Sequence, residues 1–292
     1  MKIAFLGLGN MGFPMARNLA NAGYDVTGYD VVESATQAIA EHNVTPADTA
    51  RAAVEGANVV ITMFPAGKHV LEAYQNELLA AAQPDTLFID SSTIAVDDAR
   101  RAAELAREAG HRALDAPVSG GTKGADQGTL TFMVGGDQAD FEQAKPLFEV
   151  MGRKIVHTGE SGTGQAAKIV NNMALAINTI GAAEAFSLGE NLGLSHQTLY
   201  DVMSTSAAQS WAVSTNCPVP GPVPEAPSSN DYRPGFATAL MAKDLNLAKS
   251  AIEATGTPAD FGLAAFQAYT EFNTEDNAGK DFSAIIATKK KG

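Results

Sequence analysis

Lys2-Ile3-Ala4-Phe5-Leu6-Gly7-Leu8-Gly9-Asn10-Met11-Gly12-Phe13-Pro14-Met15-Ala16-Arg17-Asn18-Leu19 is the stretch on which the fold turns. A short apolar run over residues 2–6 ends in Gly-x-Gly-x-x-Gly, and Met11, Met15, Leu19 and Ala22 then recur at helical spacing. Pro14 falls in the first helical turn, where a missing N–H costs nothing. Gly23 ends the pattern, and Asp25-Val26-Thr27-Gly28-Tyr29-Asp30 reads as a second strand. Strand, helix and strand are complete within the first thirty residues.

The alternation continues downstream. Residues 33–41 have helical spacing, and Thr45-Pro46 reads as an N-cap and first-turn pair opening a helix to about Glu55. Residues 58–64 have the continuous β-branched character of a strand buried on both faces. Helices over 69–82, 96–109 and 139–151 alternate with strands over 86–90, 112–115, 131–134 and 154–157, and a glycine-rich segment occupies 119–128. This order predicts an α/β class with a Rossmann-type, doubly wound parallel sheet. After Gly164 the pattern changes. Residues 165–192 read as one long, largely buried helix, and 197–204, 238–253 and 258–272 have helical spacing. The expected division is a dinucleotide-binding domain over 1–162 and an all-helical domain over 163–292. Cys217-Pro218-Val219-Pro220-Gly221-Pro222-Val223-Pro224 has two readings, a polyproline-like surface linker, which composition favours, or an ordered loop.

The chain of 292 residues carries 20 Lys and Arg against 33 Asp and Glu, a net charge of −13. That balance argues against nucleic acid or an anionic membrane as partner, since both need clustered basic residues. Lys289-Lys290-Lys291 reads as a solvated tail. Cys217 is the single cysteine, which excludes an intrachain disulfide, and the scattered histidines offer no metal-ligand spacing. Residues 2–6 are too short an apolar run for a signal peptide, and 173–188 are interrupted by Asn178, Thr179 and Glu184. A cytoplasmic protein without a metal is the expectation.

In the glycine motif, Gly7 permits a tight turn, Gly9 lets backbone approach a pyrophosphate, and Gly12 permits close helix–strand packing. A βα turn without a ligand would look alike, but Asp30 lies eighteen residues after Gly12, where its carboxylate can accept hydrogen bonds from a ribose diol. No Arg or Lys in Val31-Val32-Glu33-Ser34 compensates a 2′-phosphate, so NAD is expected over NADP. Ser119, Gly120 and Gly121 can point successive N–H groups at one carboxylate, or form a flexible connection. Lys168 and Asn172 are i and i+4, with Asn171 between them at i+3. They read either as a general base with an orienting amide or as a lysine whose stem is buried while its head reaches solvent. Lys243-Asp244 is by default a surface ion pair.

These segments together resemble the β-hydroxyacid dehydrogenase family over essentially the whole chain. Residues 5–19, residues 115–124 continuing to Gly128-Thr129-Leu130, and Gly162-Thr163-Gly164-Gln165-Ala166-Ala167-Lys168-Ile169-Val170-Asn171-Asn172 are similar to its three signatures, in order. Trp211, Tyr232-x-x-Gly235-Phe236, residues 240–245 and Lys280-Asp281-Phe282-Ser283 look like members that oxidise hydroxyisobutyrate. The resemblance implies Lys168 as catalytic base with Asn172 as its partner, and Ser119, Gly120, Gly121 and Lys243 at the substrate. It implies cofactor contacts from Gly7, Leu8, Gly9, Asn10, Met11, Gly12, Asp30, Met63, Phe64, Pro65, Thr93 and Lys243. It also implies an ordered proline loop, a small hydroxyacid substrate and a homodimer or homotetramer. The expected reaction is NAD-dependent oxidation of (S)-3-hydroxyisobutyrate in valine catabolism. The alternatives are reduction of another small semialdehyde, such as tartronate or succinate semialdehyde, or a non-catalytic NAD sensor. Ser206-Ala207-Ala208-Gln209-Ser210 departs from relatives that more often carry Gly and Cys there, which bears on the exact substrate.

Overall fold

The structure, a computed structural model, describes residues 1–289. It divides into two compact units, Met1–Lys168 and the chain from Ile169 onward.

The first unit is built on nine strands: β1 (Lys2–Leu6), β2 (Asp25–Tyr29), β3 (Thr45–Pro46), β4 (Val59–Thr62), β5 (Leu87–Asp90), β6 (Arg112–Asp115), β7 (Val118–Ser119), β8 (Leu130–Gly136) and β9 (Gly152–Gly159). They lie in the order β3-β2-β1-β4-β5-β6-β8-β7, with β9 also paired to β8. The period of two sorts the core. Ile3, Phe5, Ile61 and Ile89 pack on one face with Met15 and Leu19, whereas Ala4, Leu6, Val60 and Phe88 pack on the other with Tyr74. Both faces are covered, which explains why the strands read as continuous apolar runs.

From β3 to β6 every pairing is parallel. Register then brings the carboxyl ends into a row: Leu6 pairs with Tyr29 and with Thr62, Thr62 with Asp90, and Asp90 with Asp115. The loops that follow these strands leave the sheet from one edge, at the switch point between β1 and β4 and beyond it.

The doubly wound sheet is dominated by parallel pairings, as expected; β8 runs antiparallel to β6 and β7, and its pairing with β9 restores the parallel sense. Thr45-Pro46 does not open a helix; it is the edge strand β3, and Thr49 caps the helix Ala50–Val54 by accepting from Ala52 N at 3.1 Å. The long helix is present as expected, Thr163–Asn191; most of its residues are buried or half-buried, while Val170 and Leu188 are each 60% exposed.

Beyond Lys168 the second unit is helical, with Thr238–Thr255, Asp260–Phe272 and the 3₁₀ segment Phe282–Lys289 enclosing Ala176, Met241, Leu245, Tyr269 and Phe282. The proline run is an ordered part of this unit, as the resemblance implies and composition does not. Cys217 and Val219 are buried against Phe186 and Ile286. Ser228 Oγ donates to Cys217 O at 2.6 Å, and Tyr232 Oη donates to Pro218 O at 2.9 Å. Lys289 is not a solvated end, because its Nζ meets Glu184 Oε1 at 3.0 Å; Lys290 and Lys291 lie outside the described residues. Among the described residues no helix is long and apolar enough to cross a membrane, and no group of His, Cys, Asp or Glu could hold a metal ion.

Candidate active site

The glycine motif forms the turn between β1 and the helix Gly12–Asn21. A Cβ on Gly12 would run into Gly7 O, so the glycine is what lets the helix start against the strand end. At Gly9 an added Cβ would meet nothing within 4 Å, and an open cavity of about 590 Å³ lies over Leu8, Gly9, Asn10 and Pro14. The first N–H groups of a helix lack intrahelical partners and carry the positive end of its dipole. Open space above such a turn fits a pyrophosphate.

Asp30 follows β2, with Oδ2 accepting from Leu8 N at 2.6 Å and Oδ1 from Val32 N at 2.8 Å. Its carboxylate is thus held beside the glycine turn. Met63, Phe64 and Pro65 follow β4, and Thr93 follows β5. One small network joins these two loops. Ser92 Oγ donates to Asp90 Oδ1 at 2.6 Å and accepts from Phe64 N at 2.7 Å, while Thr62 Oγ1 donates to the same Asp90 oxygen at 2.8 Å.

Asp90 is 4% exposed, and its Oδ2 has no hydrogen-bond partner among the described residues. Burial pushes this carboxyl up to about 6, held back by the bonds from Ser92 and Thr62 and helped slightly upward by Asp115. A carboxyl raised above its unfolded value keeps its proton more tightly when folded. Its contribution is full below about pH 4 and is lost as pH rises through about 6. Asp90→Asn cannot ionise, so between pH 4 and pH 7 it should gain roughly 3 kcal/mol on wild type in urea unfolding. A wild-type-to-variant difference that stays constant across that range would show that Asp90 does not titrate there.

Ser119 ends β7, and Gly120 and Gly121 follow at φ of 133° and 62° before the helix Gly121–Asp126. The segment is thus a strand-to-helix corner. Arg17 ties it to the dinucleotide-side helix, with Nη2 donating to Asp126 Oδ1 at 3.0 Å. Lys168 is 7% exposed on the second turn of the long helix, in the last position of the first unit.

Within the second unit Asn172 is 2% exposed, and its Nδ2 donates to Asp244 Oδ2 at 2.6 Å. Asp244 is itself 3% exposed, and Lys243 Nζ lies 3.5 Å from its other oxygen. Lys243-Asp244 is therefore not an ordinary surface pair. Its acidic member orients the Asn172 amide.

Residues 2–159 match the model of the NAD-binding domain of 6-phosphogluconate dehydrogenase, and residues 162–288 that of the NAD-binding domain of NADP-dependent 3-hydroxyisobutyrate dehydrogenase. A probable 3-hydroxyisobutyrate dehydrogenase of Mycobacterium tuberculosis is 54% identical over 98% of this chain and 97% of its own. The chain belongs to the 3-hydroxyisobutyrate dehydrogenase family. The NAD-dependent L-serine dehydrogenase of Pseudomonas aeruginosa is also similar, 47% identical over 97% of this chain and 96% of its own. Among solved structures, the M. tuberculosis 3-hydroxyisobutyrate dehydrogenase with L-serine superposes at a TM-score of 0.95 with 54% identity, covering 98% of both chains. As a member of this family the protein is an NAD-dependent dehydrogenase.

Four polar residues of this dehydrogenase escaped the reading of its sequence as site components: Asp90, Asp115, Gln165 and Asp244. Each is buried, and the side-chain bonds of Gln165 to Ile94 and of Asp244 to Asn172 each span more than seventy residues. Asp115 and Gln165 stand inside recognised motifs, which was the available signal. Asp90 and Asp244 carried none beyond being acidic residues next to Ser or Lys.

Proposed function

We propose that this protein oxidises (S)-3-hydroxyisobutyrate to methylmalonate semialdehyde with NAD, in valine catabolism, with Lys168 as general base and Asn172 as its partner. The observation that carries the reading is the pair itself. Lys168 and Asn172 are both buried one turn apart on one helix, and the amide of Asn172 is fixed by Asp244. A surface lysine needs no such setting.

In this reading Ser119, Gly120 and Gly121 hold the substrate carboxylate through backbone N–H groups, with Lys243 contributing charge. Lys168 takes the hydroxyl proton, and Asn172 keeps the oxygen in line through its amide. NAD, when bound, accepts the hydride from the carbinol carbon. Residues 7–12 hold the pyrophosphate, Asp30 the adenosine ribose, and Met63, Phe64, Pro65 and Thr93 line the rest. We take the domain division at 162/163, a reading supported by the limits of the two matching family models. We further place the protein in the cytoplasm as a homodimer or homotetramer. Exposed Val170, Leu188, Leu192 and Val202, at 57–72%, support an apolar contact between copies.

A second reading, L-serine as substrate, is favoured by the similarity to an NAD-dependent L-serine dehydrogenase. L-Serine presents the same carboxylate and β-hydroxyl, with an amino group in place of the methyl.

A panel of hydroxyacids assayed by NADH absorbance decides among them. The leading reading requires the highest kcat/KM for (S)-3-hydroxyisobutyrate. A preference for L-serine, glycerate or 4-hydroxybutyrate transfers the assignment, and turnover of none removes it. Run with both cofactors, the same assay tests Asp30. Asp30→Ala should shift the NAD-to-NADP ratio of kcat/KM by roughly tenfold or more toward NADP, since a like charge no longer opposes the 2′-phosphate. An unchanged ratio rejects that role.

A further inference from the structure

Gln165 lies in the first turn of the helix Thr163–Asn191, three residues before Lys168, and is fully buried. Its side chain grips one tripeptide from both ends. Nε2 donates to Ser92 O at 2.7 Å, and Oε1 accepts from Ile94 N at 3.1 Å. Thr93 is the residue in between. Through Ser92 Oγ the same tripeptide bonds to Phe64 N, so the grip extends to the loop after β4.

The backbone of this turn is fixed from the opposite side. Gln165 N donates to Asp115 Oδ2 at 2.9 Å, and Gly162 N donates to Asp115 Oδ1 at 2.7 Å. Asp115 thus caps the helix from the end of β6, and it begins the segment that leads to Ser119. The approach is close. A Cβ at Gly164 would lie 2.5 Å from Met133 O and 2.7 Å from Asp115 O, so any other residue would push the helix off the strand ends.

A side chain at i and one at i+3 lie on adjoining positions of one helix face. Fixing Gln165 in rotation and along the axis therefore fixes where Lys168 points. We propose that Gln165 is a positioning residue that locks the base-bearing turn to the Thr93 loop, so that Lys168 and the cofactor-lining loops are held in one register. The proposal rests on the reading of Lys168 as general base. A primary amide suits the task because it offers one donor and one acceptor in a plane, matching a C=O and an N–H two residues apart. Ionised Glu can only accept, and Met can do neither.

The test uses Gln165→Met and Gln165→Glu in the full chain, each also combined with Lys168→Ala. Gln165→Met should lower kcat about 10- to 100-fold, as a small misplacement of a catalytic group does, with the substrate KM within about threefold. In the Lys168→Ala background the same change should cost less than about twofold, because the group it positions is gone. Gln165→Glu should recover toward wild type as pH falls, since a protonated carboxyl again donates to Ser92 O and accepts from Ile94 N. An equal loss in both backgrounds, or a folded Gln165→Met with wild-type kcat, overturns the proposal.

NADH affinity, read by fluorescence, supplies an arm that needs no turnover. Gln165→Met should weaken it about 3- to 10-fold by loosening the Thr93 loop. If Lys168→Ala keeps wild-type turnover, the base assignment fails and with it the lock on Lys168, while this arm still reports the grip on the loop. Unchanged NADH affinity in Gln165→Met overturns that grip, whatever the turnover.

Discussion

Lys168→Ala is expected to lose at least about 10²-fold in kcat while NADH affinity stays within about threefold, because positioned acid–base groups contribute about 10²–10⁴-fold. The substrate hydroxyl must lose its proton as its carbon loses hydride, and Lys168 is the buried base candidate on the helix anchored to β6 and the Thr93 loop. Lys168→Arg separates charge from proton transfer. Arginine keeps the positive charge but does not release a proton at working pH, so it should be about as slow as alanine. If Lys168→Arg restores turnover, the lysine serves as a fixed charge instead. Partial rescue of Lys168→Ala by added methylamine, without rescue of Lys168→Arg, is the result that goes with a base.

What could be read in advance follows sequence distance. The glycine turn with Asp30, and Lys168 with Asn172, are encoded at spacings of one turn or one βαβ unit, where period and motif speak directly. Gln165 with Ile94 and Asn172 with Asp244 are pairs made only when distant segments pack, and neither partner is unusual on its own. The direction of β8 was illegible for another reason. A strand covered on both faces shows the same apolar run whether its neighbours are parallel or antiparallel. Thr45-Pro46 misled because a two-residue edge strand is shorter than any period, and Thr-Pro is also a good helix start. The proline run misled through composition. Its order comes from Cys217 and Val219 fitting an apolar site, and from Ser228 and Tyr232 bonding its carbonyls.

The negative charge of the chain sharpens the demand on local donors. An acidic protein that holds a dinucleotide and a hydroxyacid cannot rely on its overall field, which opposes both. On the proposed reading, fixed N–H groups at the glycine turn and at Gly120-Gly121, together with Lys243, supply the attraction at short range. This is why the backbone of the turns matters more here than the count of basic residues.

Asp281→Ala should be the most destabilising single change in the second unit. The residue is 1% exposed, and its Oδ1 accepts from Asn216 Nδ2 at 3.2 Å, Ser283 N at 3.0 Å and Ser283 Oγ at 2.7 Å. Its Oδ2 accepts from Gly235 N and Phe236 N, both at 3.1 Å. Two motifs far apart in the chain, Tyr232-x-x-Gly235-Phe236 and Lys280-Asp281-Phe282-Ser283, therefore meet on one carboxylate. Removing it strands several buried donors at once, each costing about 1–3 kcal/mol, so a total of about 3–5 kcal/mol is expected after relaxation. Asp281→Asn keeps the shape but turns an NH₂ toward donors on one side, and should recover only part of the loss. Because the cofactor-side residues other than Lys243 lie in the first unit, the damage should appear as an early calorimetric transition, while the glycine turn and Asp30 still bind NADH weakly. A single unfolding transition with an unchanged midpoint in Asp281→Ala would mean that these bonds do little to hold the helical unit together.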